Sequence, residues 1–144
     1  MSLAEVTAFL RKHGISSAPV VDPESPQRKR LIGYISEADC LEYLSNEVFF
    51  GCPSQPQTVQ TMMKRHPVCV GPETDLFTLA SVFVSHGFRH LPVVEGDRLV
   101  GIVSRRDVLR ELDSFYQERI TDDALERFPP NLREVLNLRF LARK

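Results

Sequence analysis

Tryptophan is absent from this sequence, cysteine occurs only three times, and acidic and basic residues nearly cancel, leaving a formal charge of −1. Each scarcity removes a class of function. Cys40, Cys52 and Cys69 are odd in number and show no Cys-x-x-Cys spacing. That argues against a disulfide framework and a zinc site, and for a reducing, cytoplasmic setting. They read as small buried hydrophobes rather than nucleophiles. No apolar run approaches the ~20 residues that span a bilayer, and the start lacks the charged-then-apolar order of a signal peptide, so no membrane partner is expected. The near-neutral balance gives no general pull toward nucleic acid. The basic turn Pro-Gln-Arg-Lys-Arg at 26–30 is expected as a solvated loop, because nucleic-acid binding needs a larger basic surface. His66 and His90 have no second ligand at metal spacing. His13 and His86 each precede a glycine at a helix end, where an imidazolium suits the C-terminal dipole. No nucleophile, base and orienting group form a set, so neither an enzyme nor a catalytic cofactor is expected.

What the chain does have is an ordinary globular balance, 42% hydrophobic and 26% charged. Its 144 residues suffice for one domain or two small modules, and a chain of this length buries roughly two thirds of its unfolded surface. The chief signal is self-similarity. "GIVSRRDVLREL" from Gly101 repeats "GYISEADCLEYL" from Gly33, an offset of 68. Upstream, "LFTLASVFVSHGFRHLPVVE" from Leu76 repeats "LAEVTAFLRKHGISSAPVVD" from Leu3, an offset of 73. The difference is absorbed by "PESPQRKR", a loop longer than its counterpart "GDR", as a hairpin tip tolerates.

Each repeat reads as helix, strand, turn, strand, helix. Leu76, Leu79, Phe83 and Val84 recur at helical spacing and Gly87 supplies the left-handed stop. "LPVV" and "LVGIVS" are short apolar strands around the turn "EGDR". Ser104 then caps a helix bearing Val108, Leu109 and Leu112. An additional strand, "PVCV", precedes the second copy; the first lacks it, so the chain reads as truncated at its start. Between the copies, Pro53 and Pro56 mark a linker. Phe49 and Phe50 within it read as an exposed interaction patch or as core, and core is the expectation because most such aromatics are buried. After residue 115 more helix is expected. Thr121 would cap "DDALERF" and Asn131 would cap a helix placing Leu132, Val135, Leu136 and Phe140 on one face.

The doubled Gly-strand-Ser-x-x-Asp pattern admits two readings. Ser and Asp three apart form a capping box that satisfies free helix amides. The same geometry also places a hydroxyl, a carboxylate and unpaired amides where phosphate and ribose bind. Arg105 and Arg106 would add local positive charge.

With "GFRHLPVV", "LVGIVSRRDVL", "SSAPVVD", "LIGYISEADCL" and "VQTMMKRHPVCV", the chain resembles a tandem cystathionine-β-synthase (CBS) domain pair, the Bateman arrangement. The resemblance covers about Leu3 to Phe115. It implies an α/β (α+β) fold, a tandem CBS pair of pseudo-two-fold symmetry with clefts between the repeats, here followed by a C-terminal helical extension. The boundaries expected are 3–46 for the first motif, 47–60 for the linker, 61–115 for the second motif and 116–144 for the extension. It also implies a homodimer, a regulatory ligand such as AMP, ADP, ATP or S-adenosylmethionine, and an effector enzyme, transporter or regulator. Carried onto this sequence, Asp107 would hold ribose hydroxyls and Ser104 would meet phosphate beside Arg105 and Arg106. Val68, Cys69 and Val70, with Arg89, His90 and Pro92, would frame the base and approach the phosphates. Ala18, Pro19, Ser36 and Asp39 match them in a second, weaker cleft, where Glu37 and Ala38 replace the two arginines. The alternative is a ligand-free interaction scaffold.

Overall fold

Ser2 and Glu5 form a capping box that starts helix α1 (Leu3–His13), and Gly14, at φ 61°, ends it. Gly87, at φ 65°, ends helix α4 (Leu76–His86) in the same way, after an N-cap from Asp75. Both glycines hold the left-handed conformation that side chains resist. In the computed structural model the described residues are 1–51 and 56–121. Leu3, Val6 and Leu10 of α1 are buried, as are Leu76, Leu79 and Phe83 of α4. These are equivalent positions of the repeat, so one apolar stripe serves both copies.

Contacts divide the chain into two units, Met1–Pro67 and Val68–Lys144. The first holds α1, strand β1 (Ser17–Val21), strand β2 (Leu31–Ser36), helix α2 (Glu37–Phe50) and the short helix α3 (Val59–Met62). The second holds α4, strand β3 (His90–Glu95), strand β4 (Arg98–Ser104) and helix α5 (Arg105–Thr121). Each strand pair is an antiparallel hairpin, and the registers match: Val20 faces Gly33 as Val93 faces Gly101, with a shift at the next residue in both. The longer first hairpin tip is closed by Arg30 pairing with Asp22. Gly96, at φ 65°, turns the shorter one.

The two cores differ by what the connecting segment adds. Ile35 and Cys40 join α1 in the first unit, together with Met62 and Met63. Val103 and Val108 join α4 in the second, together with Val70. Met63 reaches into the first hairpin beside Gly33, where an added Cβ would stand 2.4 Å from the methionine sulfur. Lys64 fixes that approach by exchanging backbone hydrogen bonds with Tyr34, at 2.8 and 3.0 Å.

Several expected details differ. Helix α2 runs to Phe50, past the expected linker start at 47, because its apolar spacing continues and Gly51 supplies the stop. Met62 and Met63, at the start of the segment assigned to the second motif, find apolar partners in the first core, which leaves the motif boundaries themselves unchanged. "PVCV" forms a single bridge, Val70 to Val93, rather than a regular strand. Phe49 is 84% exposed, not in the core; it lies on the outer side of α2. Helix α5 is described as far as Thr121, and the helix that Thr121 would cap lies outside the described residues. The expectations for Cys52 and for the helix capped by Asn131 lie outside the described residues. Among the described residues no helix is long and apolar enough to cross a membrane.

Candidate functional site

Of the residues that the repeat singles out in the second unit, Ser104 to Asp107 meet Arg89 and His90 at the start of α5, while Val70 pairs along the other edge of β3. Strand β4 ends at Ser104, directly opposite His90 at the start of β3. The Arg105 amide donates to the Arg89 carbonyl at 3.0 Å, tying the segment before β3 to the helix N-terminus. On the outer edge of β3, the Val70 amide donates to the Pro92 carbonyl at 3.0 Å, and the Val94 amide donates to the Val70 carbonyl at 2.9 Å. Pro92 fits this edge because it needs only to accept. Val68 is exposed, Cys69 half-buried and Val70 buried, so the segment runs from solvent into the core.

Ser104 and Asp107 realise the capping box. The Ser104 amide and hydroxyl donate to Asp107 Oδ2, at 2.9 and 2.5 Å, and the Asp107 amide donates back to the hydroxyl at 3.1 Å. One carboxylate oxygen is thereby committed to the helix start. The other, Oδ1, faces the exposed Arg110 guanidinium at 3.6 Å. Arg105 and Arg106 are exposed in the first turn. The site therefore offers a partly exposed carboxylate beside two cations at a helix start, a combination suited to hydroxyls and an anion. Burial pushes the His90 imidazole below its ordinary pKa, Asp107 opposes that shift and Arg89 adds to it. Burial also pushes the Cys69 thiol up, which keeps it protonated and fits packing rather than nucleophilic chemistry.

The first unit repeats the frame and closes it. The Glu37 amide donates to the Ser16 carbonyl at 2.9 Å, the counterpart of the Arg105–Arg89 bond. Ser36 and Asp39 form the same capping box. Here, however, Asp39 Oδ1 faces Lys64 at 3.4 Å, and the carboxylate side chain is 9% exposed against 25% for Asp107. Ala18 and Pro19 lie half-buried in β1. The sequence identified Glu37 and Ala38 as the difference between the two sites. It missed Lys64, whose role rests on the Tyr34 pairing rather than on any local motif, and it missed Arg110, legible only as a residue three positions beyond Asp107.

The CBS domain family model matches residues 1–46 and 59–114. An uncharacterized protein of Methanocaldococcus jannaschii is 30% identical over 135 residues, 93% of this chain and 42% of the relative. Among curated relatives, the chain spans 63% of one and 42% of another of those it matches. Among solved structures, CBSX2 in complex with AMP superposes with a TM-score of 0.65 at 24% identity, covering 81% of this chain and 84% of that one. The CBS domain pair of protein MJ0100, in complex with 5′-methylthioadenosine and S-adenosyl-L-methionine, superposes with a TM-score of 0.61 at 25% identity, covering 76% and 83%. Two matched repeats, each with its own hairpin, core and Ser-x-x-Asp helix start, make this chain a member of the CBS-domain family, a tandem CBS pair.

Proposed function

We propose that the chain is a regulatory module that binds an adenosine-containing ligand, an adenine nucleotide or S-adenosylmethionine, at the start of α5, and that it acts as a homodimer in a cytoplasmic setting upon an effector enzyme, transporter or regulator. The observation that carries this reading is the contrast between the two carboxylates. The Asp107 side chain is 25% exposed, with Arg105 and Arg106 in the same helix turn, whereas that of Asp39 is 9% exposed and pairs with Lys64. Ribose hydroxyls donate to Asp107, Arg105 and Arg106 meet phosphate, and the segment from Val68 to Val70 lies against the base. The ligands named for related CBS pairs support the class of molecule.

Calorimetry with ATP, AMP and S-adenosylmethionine tests this. Hydrogen bonds to a charged acceptor are worth about 1.5–3 kcal/mol, so Asp107→Ala should weaken binding by about one to two powers of ten. Asp39→Ala should change affinity little. Arg105→Ala should reduce ATP affinity more than adenosine affinity, since only ATP brings the charge. Equal losses at Asp39 and Asp107 would mean both units bind, and no loss at either would return both pairs to helix capping alone.

A second reading, an assembly scaffold without ligand, draws on the exposed apolar stripe common to both copies. Leu41 and Val48 of α2 are exposed, and so are Leu109 and Tyr116 at the matching positions of α5; Leu44 is exposed as well, whereas its counterpart Leu112 packs against the core. Such a stripe suits a helix-to-helix dimer contact. Absence of any thermal shift across the three ligands, with dimerisation intact, would favour this reading.

A further inference from the structure

The two units build one frame and dress it with opposite charge. In the second, Arg89, Arg105, Arg106 and Arg110 are all exposed, against two carboxylates, Asp107 and Glu111. The Arg105 amide on the Arg89 carbonyl and the Arg110 guanidinium on Asp107 gather the four at the start of α5. Among the described residues Arg89, Arg105 and Arg106 have no ion-pair partner, and Arg110 is shared between Asp107 and Glu111. The repeat places Ser16, Glu37, Ala38 and Glu42 at these four positions of the first unit, where Lys64 pairs with Asp39. That unit keeps the same backbone bond and the same capping box without an arginine at any of them. The arginines are therefore not needed to hold the frame. Two of them oppose it, since a cation in the first turn meets the positive end of the helix dipole, where α2 carries Glu37 and Asp39.

We propose that the α5 site selects a polyphosphate chain: it takes a nucleoside di- or triphosphate in preference to AMP, and it rejects S-adenosylmethionine. This deepens the adenosine-ligand reading of the same site and rests on it. A guanidinium takes a phosphate through two parallel N–H···O bonds, so arginines spread from Arg89 to Arg106 suit several phosphates in a row rather than one. S-adenosylmethionine brings the wrong charge. Its carboxylate is balanced by its own ammonium, which leaves a sulfonium cation that the guanidinium groups repel. Asp107 does not reverse this, because its Oδ2 is committed to Ser104 and its Oδ1 already faces Arg110. A bound polyphosphate would relieve the repulsion among the arginines and at the helix start, so the charge that costs the free chain stability favours the complex.

Calorimetry of the full chain, without added magnesium, uses ATP, ADP, AMP, S-adenosylmethionine and inorganic tripolyphosphate at low and high salt. Affinity should fall from ATP through ADP to AMP, with ATP tighter than AMP by roughly tenfold or more. S-adenosylmethionine should be weakest, and the lead of ATP should shrink at high salt. Arg105→Glu together with Arg106→Ala, which copies the first unit, should bring ATP down to the affinity of AMP and raise the melting temperature of the free chain. Equal affinities for ATP, AMP and S-adenosylmethionine, or tightest binding of the last, would overturn the selection; the module reading would still stand if Asp107→Ala weakened all three. Binding of tripolyphosphate alone, lost in the double variant, would keep the selection and remove the nucleoside. A double variant that binds ATP unchanged, or that melts lower, would mean that the arginines are only solvated or hold the chain's own carboxylates, and the selection falls. No binding by any of the five would overturn both.

Discussion

Gly33 and Gly101 occupy one position of the repeat, yet they serve different purposes. At Gly33 an added Cβ would meet Met63 Sδ at 2.4 Å and the Lys64 carbonyl at 3.1 Å, while at Gly101 the nearest described atom is Val93 Cβ at 4.0 Å. Gly33→Ala should therefore cost about 1–3 kcal/mol through overpacking, and Gly101→Ala should be close to neutral. Urea melts of the two variants check this. Adding Met63→Ala to Gly33→Ala should recover part of the loss, because the steric partner is then gone. His90 supplies a pH signature. Its burial favours the neutral ring, so the folded pKa lies below 6.5, and the unfolded state binds the proton first. The stability that His90 contributes is full above pH 6.5 and is lost as pH falls through the folded value. His90→Gln should flatten the melting-temperature profile as pH falls below 6.5.

At the scale of elements, each second helix begins with a Ser-x-x-Asp box, and the box has a structural role whether or not a ligand arrives. Ser104→Ala should destabilise the second unit by about 1 kcal/mol as an N-cap loss, measured by chemical denaturation without ligand. The helices also carry the proposed dimer contact. Leu109 is 67% exposed and Leu41 64%, so Leu109→Lys should leave the fold intact while lowering dimer affinity. Sedimentation velocity over a wide concentration range measures it, and an unchanged distribution would remove α5 from the interface. The periodicities of α1 and α4 were legible in the sequence because one apolar stripe per helix is a local pattern. The end of α2 was not, because Ser45, Asn46 and Glu47 ahead of the prolines at 53 and 56 resemble the start of a linker although the helix continues to Phe50.

For the whole molecule, the connecting segment decides how the duplicated halves diverge. Residues 57–64 bind the first unit through the Met1 carbonyl, the Leu3 amide and Tyr34, and they deliver Met62, Met63 and Lys64. A few residues later the same chain delivers Val70 to the second core. Lys64→Ala should therefore leave the second site untouched and expose Asp39. Calorimetry should then show Asp107-dependent affinity unchanged, and any additional weak binding should disappear with Asp39→Ala. Gain of a second site of equal strength would mean that Lys64 alone closes the first unit, without help from the missing arginines.

By itself the sequence determined the duplication, the order of elements in each half, the buried stripes and the paired Ser-x-x-Asp helix starts, since all of these are written in periodicity and local spacing. It also marked the second copy as the one with arginines after its serine. Tertiary structure decided what lies far apart in the chain: that Met63 fills the space a side chain at Gly33 would need, that Lys64 covers Asp39, and that the Val70 segment sits along β3 with no described counterpart along β1. Those outcomes depend on which unit the connecting residues pack against, and long-range packing leaves no local pattern to read.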